Sequence, residues 1–331
     1  MAIDILQHGI TEAQASAVHF LMNTDFNTAG YAAVIDIGGG TTDISFWHQR
    51  KLLLEDSVKF AGSDLIEIVT DLVKFVGAES HTYDIVMRKW PYVHFSWDKK
   101  METFLTKPEC ARTFRTFGLF YGGICYYIGM HMKKEKIKYP LSHVAFAGNG
   151  IRFLEIYALN NVLSEQKLGD WIKFFREMLK SGHSVAANQP YETTFVFSKQ
   201  PKLEVASGLV FEQLDSYTIG NNANRSKKMF GLDCVLDGIH YEYHEWQSKK
   251  TAFDFIKGNI DFNILLEFIV QYKKTADKYF NDWQLNTLPE EFNNEMKKYF
   301  NSSLERRGNE ELASSLFLEA LKAYMKIQYG K

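Results

Sequence analysis

Residues 36–43 run Asp-Ile-Gly-Gly-Gly-Thr-Thr-Asp, and apolar stretches flank them in AAVIDIGGGTTDISFW, residues 32–47. Consecutive glycines let a backbone turn tightly and approach another molecule closely. Successive backbone N–H groups in such a turn can cradle an anion. Asp36 and Asp43 would repel that anion unless a cation lies between, so these residue types point to a phosphate chain carrying a divalent metal. A tight structural turn is the alternative reading of Gly38, Gly39 and Gly40.

The elements that must position this turn follow from periodicity. YAAVIDIG, with little alternation, predicts a strand covered on both faces. TDISFWHQ and KLLLEDSVKF predict a meander after the glycines. Before them, TEAQASAVHFLM (11–22) has the spacing of a short helix. After them, GSDLIEIVTDLVKFV predicts one helix with Ser63 as N-cap and Asp64 at its positive end. Residues 77 to about 115 are less regular and suggest an inserted subdomain. RTFGLFYGGICYYIGMHMKKEK predicts a long, mostly buried helix. Its glycines cost about 1 kcal/mol each relative to Ala unless another backbone packs against them. HVAFAGNGIRFLEIYAL repeats the order strand, glycine turn, helix. ETTFVFS predicts a strand and QPKLEVASGLVFEQL a helix with Pro201 near its start. YTIGNNANRSKKMFG, residues 217–231, is polar and suggests a surface loop, and from 251 onward the pattern is helical. Strands separated by helices define an α/β class, in which ligands bind where the strands end.

Length and composition set bounds. The chain has 331 residues, enough for one large domain or two ordinary ones. A net charge of −2 gives no reason to expect nucleic acid or an anionic membrane as partner. No apolar run approaches the roughly eighteen residues of a membrane span. The N-terminus has no basic segment followed by an apolar core, so no signal peptide is expected. Three widely spaced cysteines, Cys110, Cys125 and Cys234, fit a reducing, cytoplasmic setting and are expected to be apolar packers.

IDIGGGTTDIS resembles the second phosphate-binding motif of the actin-like ATPase superfamily, which includes actin, the heat-shock chaperone ATPases and, more distantly, the sugar kinases. TEAQASAVHF is similar to the segment linking the two halves of such ATPases, VAFAGNGIRFLEI to the adenosine motif, and PKLEVASGLV to the helix after it. These four matches, in family order, cover roughly residues 10–212. The resemblance implies a ribonuclease H-like mixed sheet flanked by helices over 1–215, with a mostly helical extension over 216–331. It implies ATP or ADP with Mg2+ as ligands. Asp36, with Asp43, would hold the metal; Gly38, Gly39, Gly40, Thr41 and Thr42 would bind the phosphates. Glu12 would position the attacking water. Gly148, Asn149 and Gly150 would pass beside the adenosine with Arg152 over the base, and Gly62 would lie close to ribose or phosphate.

The chain also departs from the family pattern. Only ten residues precede the linking segment, so the first phosphate loop has no counterpart and the chain is expected to be the second half of a longer ATPase. Its partner would be the missing N-terminal half, and a further protein or a filament of like copies is compatible. Asn149 replaces a usual glycine, although Asn tolerates left-handed backbone. Glu109 and Arg112 are the nearest candidates for the family's ribose-gripping helix. Bland readings stand beside the functional ones. Glu12 suits a helix N-terminus by charge alone, Asp43 suits a turn cap, and Arg152 suits a solvated helix. His240 and His244 have a spacing that a helix would bring to one face, but no third ligand is near. The function implied is an ATP- and Mg2+-binding half with little hydrolysis of its own. A scaffold module that keeps the fold, and a small-molecule kinase, are the alternatives.

Overall fold

A computed structural model describes residues 11–22, 26, 29–93, 108–158, 163–186, 188–201, 203–210, 235–236, 239–240, 262–280, 292–307 and 315–330. In chain order it begins with helix α1 (Glu12–Leu21) and strands β1 (Tyr31–Ile37), β2 (Thr42–His48) and β3 (Lys51–Val58). Helices α2 (Gly62–Ile68), α3 (Thr70–Val76), α4 (Tyr83–Val93) and α5 (Pro108–Lys134) come next. Strand β4 (His143–Ala147) leads into a 3-10 turn over Asn149–Leu154 and helix α6 (Glu155–Ala158). Then come α7 (Glu165–Leu168), α8 (Asp170–His183), β5 (Thr194–Phe197) and α9 (Leu203–Val210). A two-residue ladder of β6 (Val235–Leu236) and β7 (Ile239–His240) precedes α10 (Asn263–Tyr279), α11 (Phe292–Arg307) and α12 (Leu316–Tyr329). The class is α/β with a five-stranded mixed sheet.

The chain divides into two compact units, one within 1–57, 139–169 and 192–228, the other within 58–138, 170–191 and 229–331. The first holds the five-stranded sheet, in order β3-β2-β1-β4-β5. β1 pairs antiparallel with β2 and parallel with β4, and β4 pairs parallel with β5. Ala32 to Ile35 are buried on both faces of the sheet, as their unbroken apolar run requires. One face packs Ala32, Val34, Trp47, Ala145 and Ala147 against Ala17 and Phe20 of α1.

Thr11 caps α1, and its hydroxyl and the Gln14 side chain form a reciprocal capping box. Ala13, Ala15, Ser16 and Ala17 keep the buried side of α1 small, which lets α9 approach it at backbone distance. A Cβ built on Gly208 of α9 would stand 1.8 Å from the carbonyl oxygen of Ala15.

In the second unit the long apolar run does form one helix, α5. Its glycines are used as close approaches. A Cβ on Gly129 would stand 2.2 Å from the Leu179 carbonyl oxygen of α8, and one on Gly182 of α8 would stand 2.0 Å from the Tyr126 carbonyl oxygen. Rings of Tyr126, Phe174, Phe268, Tyr272 and Phe317 pack edge-on or tilted around this contact. Lys322 and Lys326 of α12 pair with Asp64 and Glu67 of α2.

Two local expectations are corrected. The stretch 62–76 is two helices, because Val69 leaves helical geometry at φ −90, ψ 59. The cap of the first is Ala61, whose N–H donates to the Asp64 carboxylate at 3.0 Å, and not Ser63, which lies inside the helix. The irregular stretch after 77 contains α4, with Pro91 inside it, and residues 94–107 lie outside the described residues. So do the whole polar stretch at 217–231 and parts of the region from 251 onward. The described segments of that region are helical. No helix among the described residues is long and apolar enough to cross a membrane.

Candidate functional site

The glycine turn is the loop of the β1–β2 hairpin. Ile37 and Thr42 are the last paired residues, and the Gly38 N–H donates to the Thr41 carbonyl at 2.9 Å. The loop is therefore Gly38–Gly39–Gly40–Thr41. One pair further in, Asp36 stands directly opposite Asp43. Side chains alternate along a strand, so Asp36 follows Ala32 and Val34 onto the face covered by α1.

Two carboxylates directly opposite on one face repel each other, and the electrostatics register it. The Asp36 carboxyl is pushed up to about 6, first by burial and then by the Asp43 charge, with Glu12 adding a smaller push. Ser16, fully buried on α1, pulls the other way. Among the described residues its hydroxyl has no partner at ordinary hydrogen-bond geometry, so Ser16 is a neighbour of Asp36 and not a bonded support. Asp43 is also raised, chiefly by burial and further by Glu12 and Glu55. Hydroxyls of Ser57 and Thr41 oppose this, the latter 3.3 Å from Asp43 Oδ2.

Glu12 is exposed in the first turn of α1. That turn is fixed from the edge strand β3, where Glu55 Oε2 accepts from Thr11 Oγ1 at 2.8 Å and from Gln14 Nε2 at 2.9 Å. Glu55, Ser57 and Ser16 were not singled out in the sequence. Only strand alternation could have marked Glu55 and Ser57, and nothing local tells that they meet α1 and Asp43.

The second glycine turn lies on the end of β1. Asp36 pairs with Ala147 across the parallel ladder. Gly148 has φ +75, and a Cβ there would meet Asp36 Oδ1 at 2.2 Å and the Ile37 carbonyl oxygen at 2.5 Å. A Cβ on Gly150 would meet Ile37 Cγ2 at 2.3 Å. Asn149, buried, opens the 3-10 turn with Gly148 as its cap. Arg152 follows in that turn, and its Nε donates to Glu155 Oε1 at 3.3 Å. The structure thus brings Asp36, Asp43, Gly148 and Gly150 together at the carboxyl ends of parallel strands β1 and β4, with Glu12 within electrostatic reach.

Other candidates fall elsewhere. Gly62 opens α2 in the second unit, and the space of its missing side chain is taken by the Tyr83 ring, 2.2 Å from a built Cβ. Arg112 is paired with Asp71. His240 is in strand β7, not on a helix, which removes the helical spacing that suggested a metal, and His244 lies outside the described residues. Among the described residues no group of three or more His, Cys, Asp or Glu is arranged to hold a metal. Cys125 is a buried free thiol whose pKa burial raises, as for an inert packer. Cys234 and the side chain of Cys110 are not described.

No protein-family model matches the chain, and no curated protein matches its sequence.

Proposed function

We propose that the first unit is the ATP- and Mg2+-binding half of an actin-like ATPase, with the Gly38–Thr41 loop as its phosphate cradle. The observation that carries this reading is Gly40. Its φ lies outside the left-handed region, and nothing stands within 4 Å of a Cβ built on it. Neither the turn nor the packing requires glycine there, whereas a ligand at backbone distance does. The mixed sheet, a meander on one side of β1 and two parallel strands on the other, supports reading the fold as ribonuclease H-like.

The Asp36–Asp43 pair fits a phosphate-bound Mg2+. That ion keeps several waters and takes one or two carboxylates beside its phosphate oxygens, so two carboxylates with no third protein ligand suffice. Bound there, it would neutralise phosphate charge and relieve the repulsion between the two acids. Thr41 and Thr42 border the loop, and its glycines let a ligand approach the backbone without added side-chain bulk. Glu12, at the end of a helix pinned by Glu55, would hold the attacking water. Hydrolysis by this unit alone is expected to be very slow, because phosphoryl transfer depends on positioning and charge neutralisation from all sides.

Gly40→Ala tests the carrying observation. The substitution meets no neighbour, so unfolding stability should hold or rise by up to about 1 kcal/mol. Affinity for Mg-ATP should fall several-fold, because the added methyl stands where the phosphates come. A loss of stability with unchanged affinity would return the loop to a structural turn.

A further inference from the structure

Two serines are fully buried where α1 covers the sheet, and they differ. Ser45 is satisfied twice, since its Oγ donates to the Ala13 carbonyl at 3.4 Å and accepts from Trp47 Nε1 at 2.9 Å. Ser16 is equally buried, yet among the described residues its Oγ has no hydrogen-bond partner, the Glu12 carbonyl one turn back included. Packing does not call for a serine here, because alanine serves at Ala13, Ala15 and Ala17 of the same helix. A buried hydroxyl left unmet costs stability, and alanine is the better helix former. A group kept at such a cost needs a reason. Asp36 supplies one. It lies on the face that α1 covers, with Ser16 near enough to pull against the push that burial puts on its carboxyl. On its other side Asp36 Oδ1 rests on the Gly148 turn, where a Cβ would stand at 2.2 Å. The carboxylate is therefore lodged between a backbone and a donor that the ligand-free form does not use. Carboxylates that ligate a metal are themselves held by hydrogen bonds, and a hydroxyl bonded to an ionised carboxylate makes one of the stronger kinds.

We propose that Ser16 is a positioning residue for Asp36: its hydroxyl, unused in the ligand-free protein, donates to the Asp36 carboxylate once a phosphate-bound Mg2+ draws on that group, and fixes the orientation in which the ion is held. The proposal rests on the reading of Asp36 as a ligand of a phosphate-bound Mg2+.

The test is that Ser16→Ala should move stability and affinity in opposite directions, which a merely structural serine would not do. Thermal melts of the full chain without ligand should show the variant melting about 2–4 °C higher, because an unmet hydroxyl is gone. Titration with Mg-ATP, followed by amide NMR shifts, should show it binding about tenfold more weakly than wild type, the scale of losing a group that orients a metal ligand. Ser16→Thr keeps the hydroxyl and should bind Mg-ATP within about twofold of wild type, even where its added methyl lowers the melting temperature. Equal affinity of Ser16→Ala and wild type would overturn the proposal and leave Asp36 standing as the ligand. A lower melting temperature for Ser16→Ala would overturn it too, since the hydroxyl would then be bonded in the ligand-free form. Failure of the wild-type protein to bind ATP in a Mg2+-dependent way would overturn the reading of Asp36 and this proposal with it.

Discussion

Asp36→Asn is expected to end Mg2+-dependent ATP binding and, in the same protein, to raise the melting temperature of the ligand-free form by a few degrees at pH 7. Both effects have one cause. Asp36 is half-buried directly opposite Asp43, and its carboxyl is pushed up from 3.8 to about 6, first by burial and then by its neighbour. The folded state therefore holds this proton more tightly than the unfolded chain does. The stabilisation from that proton is complete below about pH 4 and is lost as pH rises through about 6. Above pH 6 the ionised group stays in an unfavourable place, at a cost of about 1 to 3 kcal/mol. Asparagine has the same shape and no charge, so it removes that cost at pH 7 and changes little at pH 4. Thermal melts of wild-type and variant protein at the two pH values check this. A variant that melts lower than wild type at pH 7 would mean that the acid is held by favourable contacts and is not waiting for a cation.

Gly208→Val is expected to destabilise the first unit strongly. The backbones of α9 and α1 meet at this point, and a Cβ on Gly208 would sit 1.8 Å from the Ala15 carbonyl oxygen. Ala15 is fully buried, and backbone cannot swing aside as a side chain can. The helices must separate by more than 1 Å to admit the new atoms, and α1 covers Asp36 and carries Glu12. Overpacking of this kind costs about 1 to 3 kcal/mol and occasionally more. A loss near the upper end of that range is expected, because helix propensity returns only a few tenths. Urea unfolding gives the number. A change below about 0.5 kcal/mol would mean that α9 does not hold α1 in place.

What the sequence disclosed was local. The hairpin loop, the strand before it and the strand–glycine–helix order at 143–158 all lie where residue types demand them, since a run of glycines and an unbroken apolar run act over a few positions. The long apolar helix was legible in spite of its glycines, and the condition set on them, a second backbone close by, is met by α8 at Gly129. Helix α8 itself has a plain apolar stripe in Trp171, Ile172, Phe175, Met178 and Leu179, yet no motif drew attention to residues 159–191. Contacts between distant positions left no mark. Glu55 holds a helix cap 44 residues earlier in the chain, and nothing in KLLLEDSVKF announces it. Gly62 shows the opposite hazard. Its type suggested a ligand, and a tyrosine ring 21 residues on explains it instead. The break at Val69 was not legible either, because neither glycine nor proline marks it.

Calorimetric titration of this chain with ATP, with and without Mg2+, tests the central claim most directly. The account predicts binding that requires Mg2+, weak for a single wall of a cleft, with a dissociation constant near the millimolar range or about −4 kcal/mol. Binding of equal strength without the metal, or no binding at millimolar ligand in either condition, would contradict it.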